Sequence, residues 1–184
     1  LFVQAKKQIR MVTRQVASVL IYRSDFFVGK RKYMETKQTR YSLLNDQAQS
    51  LLDGEHDLIA NMSNLVSLIF NSDQNINGTT YYRLKNGELI LGPFQGKPAC
   101  VHIPLGRGVC GTAAALKKTV IVSNVHKFEG HIACDKDSNS EIVVPIFSKN
   151  EFWGVLDLDS TKFNYFDKND QEYLEKIGNY IFGI

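Results

Sequence analysis

The sequence predicts an α+β domain, an antiparallel sheet flanked by helices, and three observations carry that prediction. Apolar residues recur at helical spacing from Tyr41 to Phe70. Two short hairpins are marked by tight turns at Asn86-Gly87 and Lys149-Asn150. A second amphipathic stretch, from Asp167 to Phe182, follows them. Closely spaced hairpins favour antiparallel pairing, because a parallel pair needs a long crossover.

In the first stretch Leu44, Ala48, Leu51, Leu52, Leu58, Ile59, Met62, Leu65, Val66 and Ile69 share a helical period. The step from Leu51-Leu52 to Leu58-Ile59 is two helical turns, and Leu58 and Met62 stand one turn apart. One or two helices follow, with Gly54 as the break. Thr79 to Leu84 is β-branched and aromatic, and Glu88 to Phe94 is its partner across Asn86-Gly87, a pair suited to the positive φ of a hairpin turn. Cys100 to Pro104 is a short alternating strand, and Gly106, Gly108 and Gly111 bracket Cys110 before a short helix, Thr112 to Lys118. Thr119 to Val125 reads as a strand and Lys127 to Ser140 as a loop. Ile142 to Phe147 and Phe152 to Leu158 form the second hairpin. Asp167 is a fitting N-cap for the last helix, which places Tyr173, Leu174, Ile177 and Ile181 on one face.

The 184 residues, 43% hydrophobic and 22% charged, suit one soluble domain with one full core. No apolar run reaches the roughly 18 residues of a membrane helix, so no membrane partner is expected. The formal charge of +3 is unevenly placed. Up to Met34 eight Lys or Arg face one acid, a net of +7, while the remainder carries 14 basic and 18 acidic residues, a net of −4. The main domain has no basic face for a phosphate backbone, which argues against nucleic acid. Residues 1–33 are therefore set apart as a basic extension outside the domain, which is expected to span 34–184. A targeting peptide or a surface anchor is the competing reading of that leader.

Three cysteines, Cys100, Cys110 and Cys134, are candidates for chemistry. They form no close CxxC pair, and an odd count excludes a closed disulfide framework. Cys134 sits in the long segment HKFEGHIACDKDSNSE (126–141) with His131, Asp135, Asp137 and Glu141 nearby. Long irregular segments tend to be functional, and a loop supplies the exposure a reactive thiolate needs. A small apolar filler is the competing reading of Cys134. Asp157 and Asp159 are two apart on one strand and so share a face. Neighbouring carboxylates repel, which favours a shared proton or a bound cation; a solvated strand end is the alternative. Cys100, His102, His131 and Cys134 could supply four metal ligands, though not at a zinc-knuckle spacing. No nucleophile elbow and no phosphate loop is present.

The runs GPFQGKPAC (92–100), GRGVCGTAA (106–114), GHIACD (130–135), SEIVVPI (140–146) and GVLDLDS (154–160) closely resemble the free methionine-(R)-sulfoxide reductases, stand-alone GAF-domain enzymes. The likeness covers about Tyr41 to Ile181. It implies a single GAF domain with a small enclosed pocket on one face of the sheet. It implies an oxidoreductase acting on free methionine sulfoxide. No cofactor and no resident metal are expected, because thiol exchange carries both electrons. Without a convincing leader signal the cytoplasm, where thiols stay reduced, is the expected compartment. Cys134 matches the nucleophile, Cys100 the usual resolving cysteine and Cys110 the alternative one. Glu141, Asp157 and Asp159 match the substrate-binding carboxylates, and Tyr82 a pocket aromatic. Thioredoxin is the implied reductant of the resulting disulfide, and a homodimer paired through helices is a candidate assembly. A non-catalytic GAF sensor of a small molecule or of redox state is the alternative function. One position departs from the pattern: the family reads Ile-Asn-Trp-x-Gly-Phe-Tyr where this chain has Ile76, Asn77, Gly78, Thr79, Thr80, Tyr81 and Tyr82. Loss of that indole predicts a larger, wetter pocket, weaker in binding by about 1–3 kcal/mol. Tyr81 and Trp153 are the candidates to replace it.

Overall fold

The computed structural model of the protein describes residues 36–132 and 134–183. The separate extension expected over residues 1–33 lies outside the described residues. The helical stretch resolves into α1 (Lys37–Leu52) and α2 (Leu58–Asn71). Gly54 lies between them at φ 72°, in the left-handed region, and Asp57 caps α2 by accepting from the Ala60 N–H. The strands are β1 (Ile76–Lys85), β2 (Glu88–Gly96), β3 (His102–Pro104), β4 (Val120–Val122), β5 (Ser140–Ser148) and β6 (Glu151–Ser160). Between β3 and β4 lies α3 (Gly108–Leu116), and α4 (Lys168–Ile177) follows β6 and runs into a 3-10 turn, Gly178–Phe182.

The six strands form one sheet in the order β3-β2-β1-β6-β5-β4, and every neighbouring pair is antiparallel. Both expected hairpin turns are present. Asn86 and Gly87 have φ of 54° and 83°, and Lys149 and Asn150 have φ of 49° and 68°. At Lys149-Asn150 the tight turn is made without a glycine.

Strand alternation sorts the side chains into two cores. On one face Tyr81, Ile142, Val144, Ile146, Leu156 and Leu158 pack under α1, α2 and α4. On the other, Tyr82, Leu89, Ile103, Val143 and Val155 pack under α3. Both cores are fully closed: Leu65, Leu156, Leu158 and Leu174 on the first face and Leu89, Val143 and Val155 on the second are all 0% exposed. The face under α1, α2 and α4 serves packing, and the face under α3 carries the pocket. Asp167 caps α4 as expected, in a capping box closed by Asp170.

Several element ends differ from expectation. The short helix begins at Gly108 rather than Thr112, so Cys110 is helical. Glycine disfavours a helix, but here it permits one: a Cβ on Gly111 would fall 2.3 Å from the Pro104 carbonyl, and only a glycine lets α3 press onto the end of β3. β4 ends at Val122 because Asn124 starts a 3-10 turn, Val125–Lys127, by accepting from the His126 N–H. β3 is limited to His102–Pro104, leaving Cys100 just outside it.

Candidate functional site

The site begins with strand register. Asp159 on β6 pairs with Glu141 on β5 and Gly78 on β1, while Asp157 pairs with Val143 and Thr80. Paired residues of antiparallel strands point to the same side, so Glu141, Asp157 and Asp159 share the face that holds Tyr82 and Thr80. Their neighbours Leu156 and Leu158 fill the opposite core. Asp157 is 7% exposed, which excludes the solvated strand end as its environment, while Asp159 at the end of the row is half-buried; Glu141 is 6% exposed.

α3 covers this row and lowers Cys110 into it. Cys110 Sγ lies 3.8 Å from Glu141 Oε1, and one ligand atom each from Cys110, Glu141 and Asp157 all fall within 4.8 Å of one another. These three could share a cation, whether a metal ion or an ammonium group. Asp157 Oδ1 is buried and has no hydrogen-bond partner. A buried carboxylate oxygen left without a partner is costly for folding, so its presence in a cleft points to a ligand.

Burial, reinforced by the neighbouring carboxylates, raises the pKa of Glu141 and of Asp157 well above the ordinary carboxylate range. Burial likewise lifts Asp159 to about 6, against a hydrogen bond from Ser138 that pulls it down. At neutral pH the cluster thus keeps protons that exposed acids would have lost. Burial and the same acids push the Cys110 thiol up, so it stays protonated and unreactive. Tyr82 is held as a neutral phenol by burial and by Asp157. His131, with Nε2 3.8 Å from Glu141 Oε2, is pushed down by burial and by His126, and stays uncharged at neutral pH.

Cys134 is the exposed thiol of the three and is disulfide-bonded to Cys100, with Cα atoms 5.9 Å apart. Cys134 borders the pocket, and Cys110, which also lines it, remains free and buried. The four-ligand metal set does not assemble: two of its members are bonded to each other, and His102 Nδ1 lies 3.1 Å from Glu88 Oε1 on the surface.

The pocket wall next to Asp159 is bare. Gly78 pairs with Gly96 across β1 and β2, and a Cβ on Gly78 would come 2.9 Å from Asp159 Oδ2. Neither expected substitute for the missing indole reaches this wall. Tyr81 faces the opposite core, where its hydroxyl donates to the Gly178 carbonyl, and Trp153 packs edge-on against Tyr81 and Phe182. The period of two decides this: Gly78, Thr80 and Tyr82 turn to the pocket and Tyr81 turns away.

Sequence reasoning missed the group that holds the Cys134 loop. Asn77 Nδ2 donates to Asp135 Oδ2 and to Ser138 Oγ, both at 3.0 Å. Lys97 Nζ donates to Asp135 Oδ1 at 2.8 Å and to Asp137 Oδ2. Burial would raise the pKa of Asp135, but the bonds from Lys97, the Asp137 N–H and Asn77 hold it below the usual range. The signal available was the acid pair Asp135 and Asp137 beside Cys134, with no way to see which cation met them.

The GAF domain family profile matches residues 37–181. The chain is 47% identical over 137 residues to the free methionine-R-sulfoxide reductase of Escherichia coli, covering 74% of this chain and 83% of the relative. The free methionine-R-sulfoxide reductase of Staphylococcus aureus in its reduced form superposes with a TM-score of 0.73 at 53% identity, covering 77% of this chain and 92% of that one. The substrate complex of the Neisseria meningitidis free methionine-R-sulfoxide reductase gives a TM-score of 0.74 at 39% identity, covering 77% and 86%.

Proposed function

The chain belongs to the GAF-domain family, among the free methionine-R-sulfoxide reductases, and from that premise we propose that it reduces free L-methionine-(R)-S-oxide to L-methionine through Cys134. The observation that carries this reading is an exposed cysteine, bonded to a second cysteine, at the edge of a pocket floored by three carboxylates.

The carboxylates explain the preference for a free amino acid. Asp159, ionised above pH about 6, and the unpaired Oδ1 of Asp157 receive the α-ammonium group, which a residue inside a polypeptide lacks. Glu141, kept protonated by burial and by its neighbouring carboxylates, donates a proton to the sulfoxide oxygen as its bond to sulfur weakens. The Cys134 thiolate supplies two electrons and takes up the oxygen, so methionine leaves and Cys134 becomes a sulfenic acid. The Cys100 thiol then displaces that oxygen as water and closes the disulfide. A dithiol reductant of the thioredoxin type reopens it by exchange, and no redox cofactor takes part. Cys110, buried and protonated, stays out of the exchange. Among the described residues no helix is long and apolar enough to cross a membrane. We place the reaction in the cytoplasm, where reducing systems keep such thiols supplied.

The test is thioredoxin-coupled NADPH oxidation with the free (R)-sulfoxide, run beside Cys134→Ser. Turnover in the native protein and none in the variant supports the reading. No turnover from folded, fully reduced protein overturns it and leaves the sensor function in its place.

A further inference from the structure

Cys134 stands near the middle of an irregular segment that runs from Phe128 to Asn139, between the 3-10 turn and β5. Once the disulfide is reduced, something else has to keep Cys134 beside Cys100. Asn77 ties the segment to β1, which does not carry Cys100. Among the described residues, the polar contacts that reach from this segment to the stretch bearing Cys100 run through Lys97. It lies three residues before Cys100, and its ammonium meets the carboxylates one and three residues after Cys134. The ion pairs and the disulfide therefore join the same two stretches of chain, side by side. Asp137 is drawn into the arrangement by its own N–H, which donates to Asp135 Oδ1 at 2.9 Å.

We propose that Lys97 is a positioning residue for the second half of the reaction: it keeps the two stretches in register while the disulfide is open, so that the Cys100 thiol meets the Cys134 sulfenic acid quickly. This inference rests on the proposed reductase reading, but it concerns the closure step alone. In that step the Cys134 S–O bond breaks, the Cys100–Cys134 S–S bond forms, and the oxygen leaves as water with the thiol and sulfenic acid protons. Holding two reacting groups together raises their effective concentration without touching the electrophile itself. A sulfenic acid that waits is open to further oxidation, which gives a fast closure its value. Lys97, Asp135 and Asp137 are partly exposed, so the clamp is modest and sensitive to salt.

The test uses the full-length reduced protein, its Lys97→Met variant and its Lys97→Arg variant. Single-turnover mixing with the free sulfoxide separates methionine release from disulfide closure, with a 1,3-diketone trapping any sulfenic acid. Closure is also followed after one equivalent of hydrogen peroxide, which makes the same sulfenic acid and water without substrate. Lys97→Met should close about three- to tenfold more slowly by either route and give more trapped adduct, in the range expected for exposed ion pairs. Methionine release and KM should be unchanged, and Lys97→Arg should recover most of the closure rate. Added potassium chloride should slow closure in the native protein and leave Lys97→Met unaffected. Equal closure rates in native and Lys97→Met protein would overturn the proposal, and so would a raised KM with closure unchanged, which would make Lys97 a substrate ligand. If the sulfoxide is not turned over while peroxide-driven closure is still slowed, the reductase reading fails and the clamp stands.

Discussion

Replacing Asp159 with asparagine should stabilise the protein and weaken its activity, and the size of the first effect follows from the site. Burial lifts the folded-state pKa of Asp159 from 3.8 to about 6. A carboxylate with a raised folded pKa binds more protons folded than unfolded, so its ionisation opposes folding. The cost is absent below about pH 4, grows between about 4 and 6, and is complete above that. A carboxyl whose pKa moves that far carries about 3 kcal/mol of this cost. In a domain of this size 1 kcal/mol moves Tm by about 2–4 °C, so Asp159→Asn should raise Tm by about 6–12 °C at pH 8. The increment should shrink to near zero at pH 4, because there the native carboxyl is already neutral. Thermal unfolding followed by circular dichroism at pH 4, 6 and 8 measures it. The variant should also lose the acidic limb of kcat/KM, which in the native protein rises with pH through about 6 as Asp159 becomes able to hold an ammonium. An increment independent of pH, or a destabilised variant, would refute the reasoning that ionised Asp159 is kept for binding at the expense of stability.

Other outcomes follow from the same geometry. Cys100→Ser should release one methionine per chain and then stop without dithiothreitol, with a trappable sulfenic acid on Cys134; mass spectrometry after a single turnover checks this. Gly78→Trp should lower KM about tenfold. That is the lower half of the gain for a buried aromatic contact, because the new Cβ must first displace the Asp159 carboxylate 2.9 Å away. An unchanged or higher KM would place the bare wall away from the substrate's S-methyl group.

The sheet was legible because its hairpins announce themselves. Asn86-Gly87 and Lys149-Asn150 lie between β-branched and aromatic runs, and both adopt the positive φ that such turns need. The pairing of Asp157 with Asp159 on one face followed from a period of two, and Leu156 and Leu158 filled the opposite core as that period requires. The addition of Glu141 to the cluster could not be read this way. It depends on the β5–β6 register that sets Glu141 opposite Asp159, and register belongs to the sheet rather than to either strand. The start of α3 was hidden for a similar reason. Gly108 and Gly111 are poor helix formers, and only the structure shows why they stand there: Gly108 starts α3 at a φ of 63°, and Gly111 approaches the Pro104 carbonyl. The likeness to known reductases pointed to Cys134 and Cys100, but not to Lys97, whose partners are 38 and 40 residues away along the chain. Tyr81 and Trp153 are aromatic enough to stand in for the missing tryptophan, but strand alternation sends Tyr81 to the other side, and Trp153, skipped by the register shift between β5 and β6, packs there against it.

The central claim is that Cys134 reduces the free sulfoxide and that Cys100, not Cys110, closes the cycle. Fully reduced protein, mixed with excess free methionine-(R)-sulfoxide and no reductant, tests it most directly. The account predicts one methionine per chain, a Cys100–Cys134 disulfide in peptide mapping and Cys110 recovered as a free thiol. No methionine, or a disulfide that contains Cys110, would contradict it.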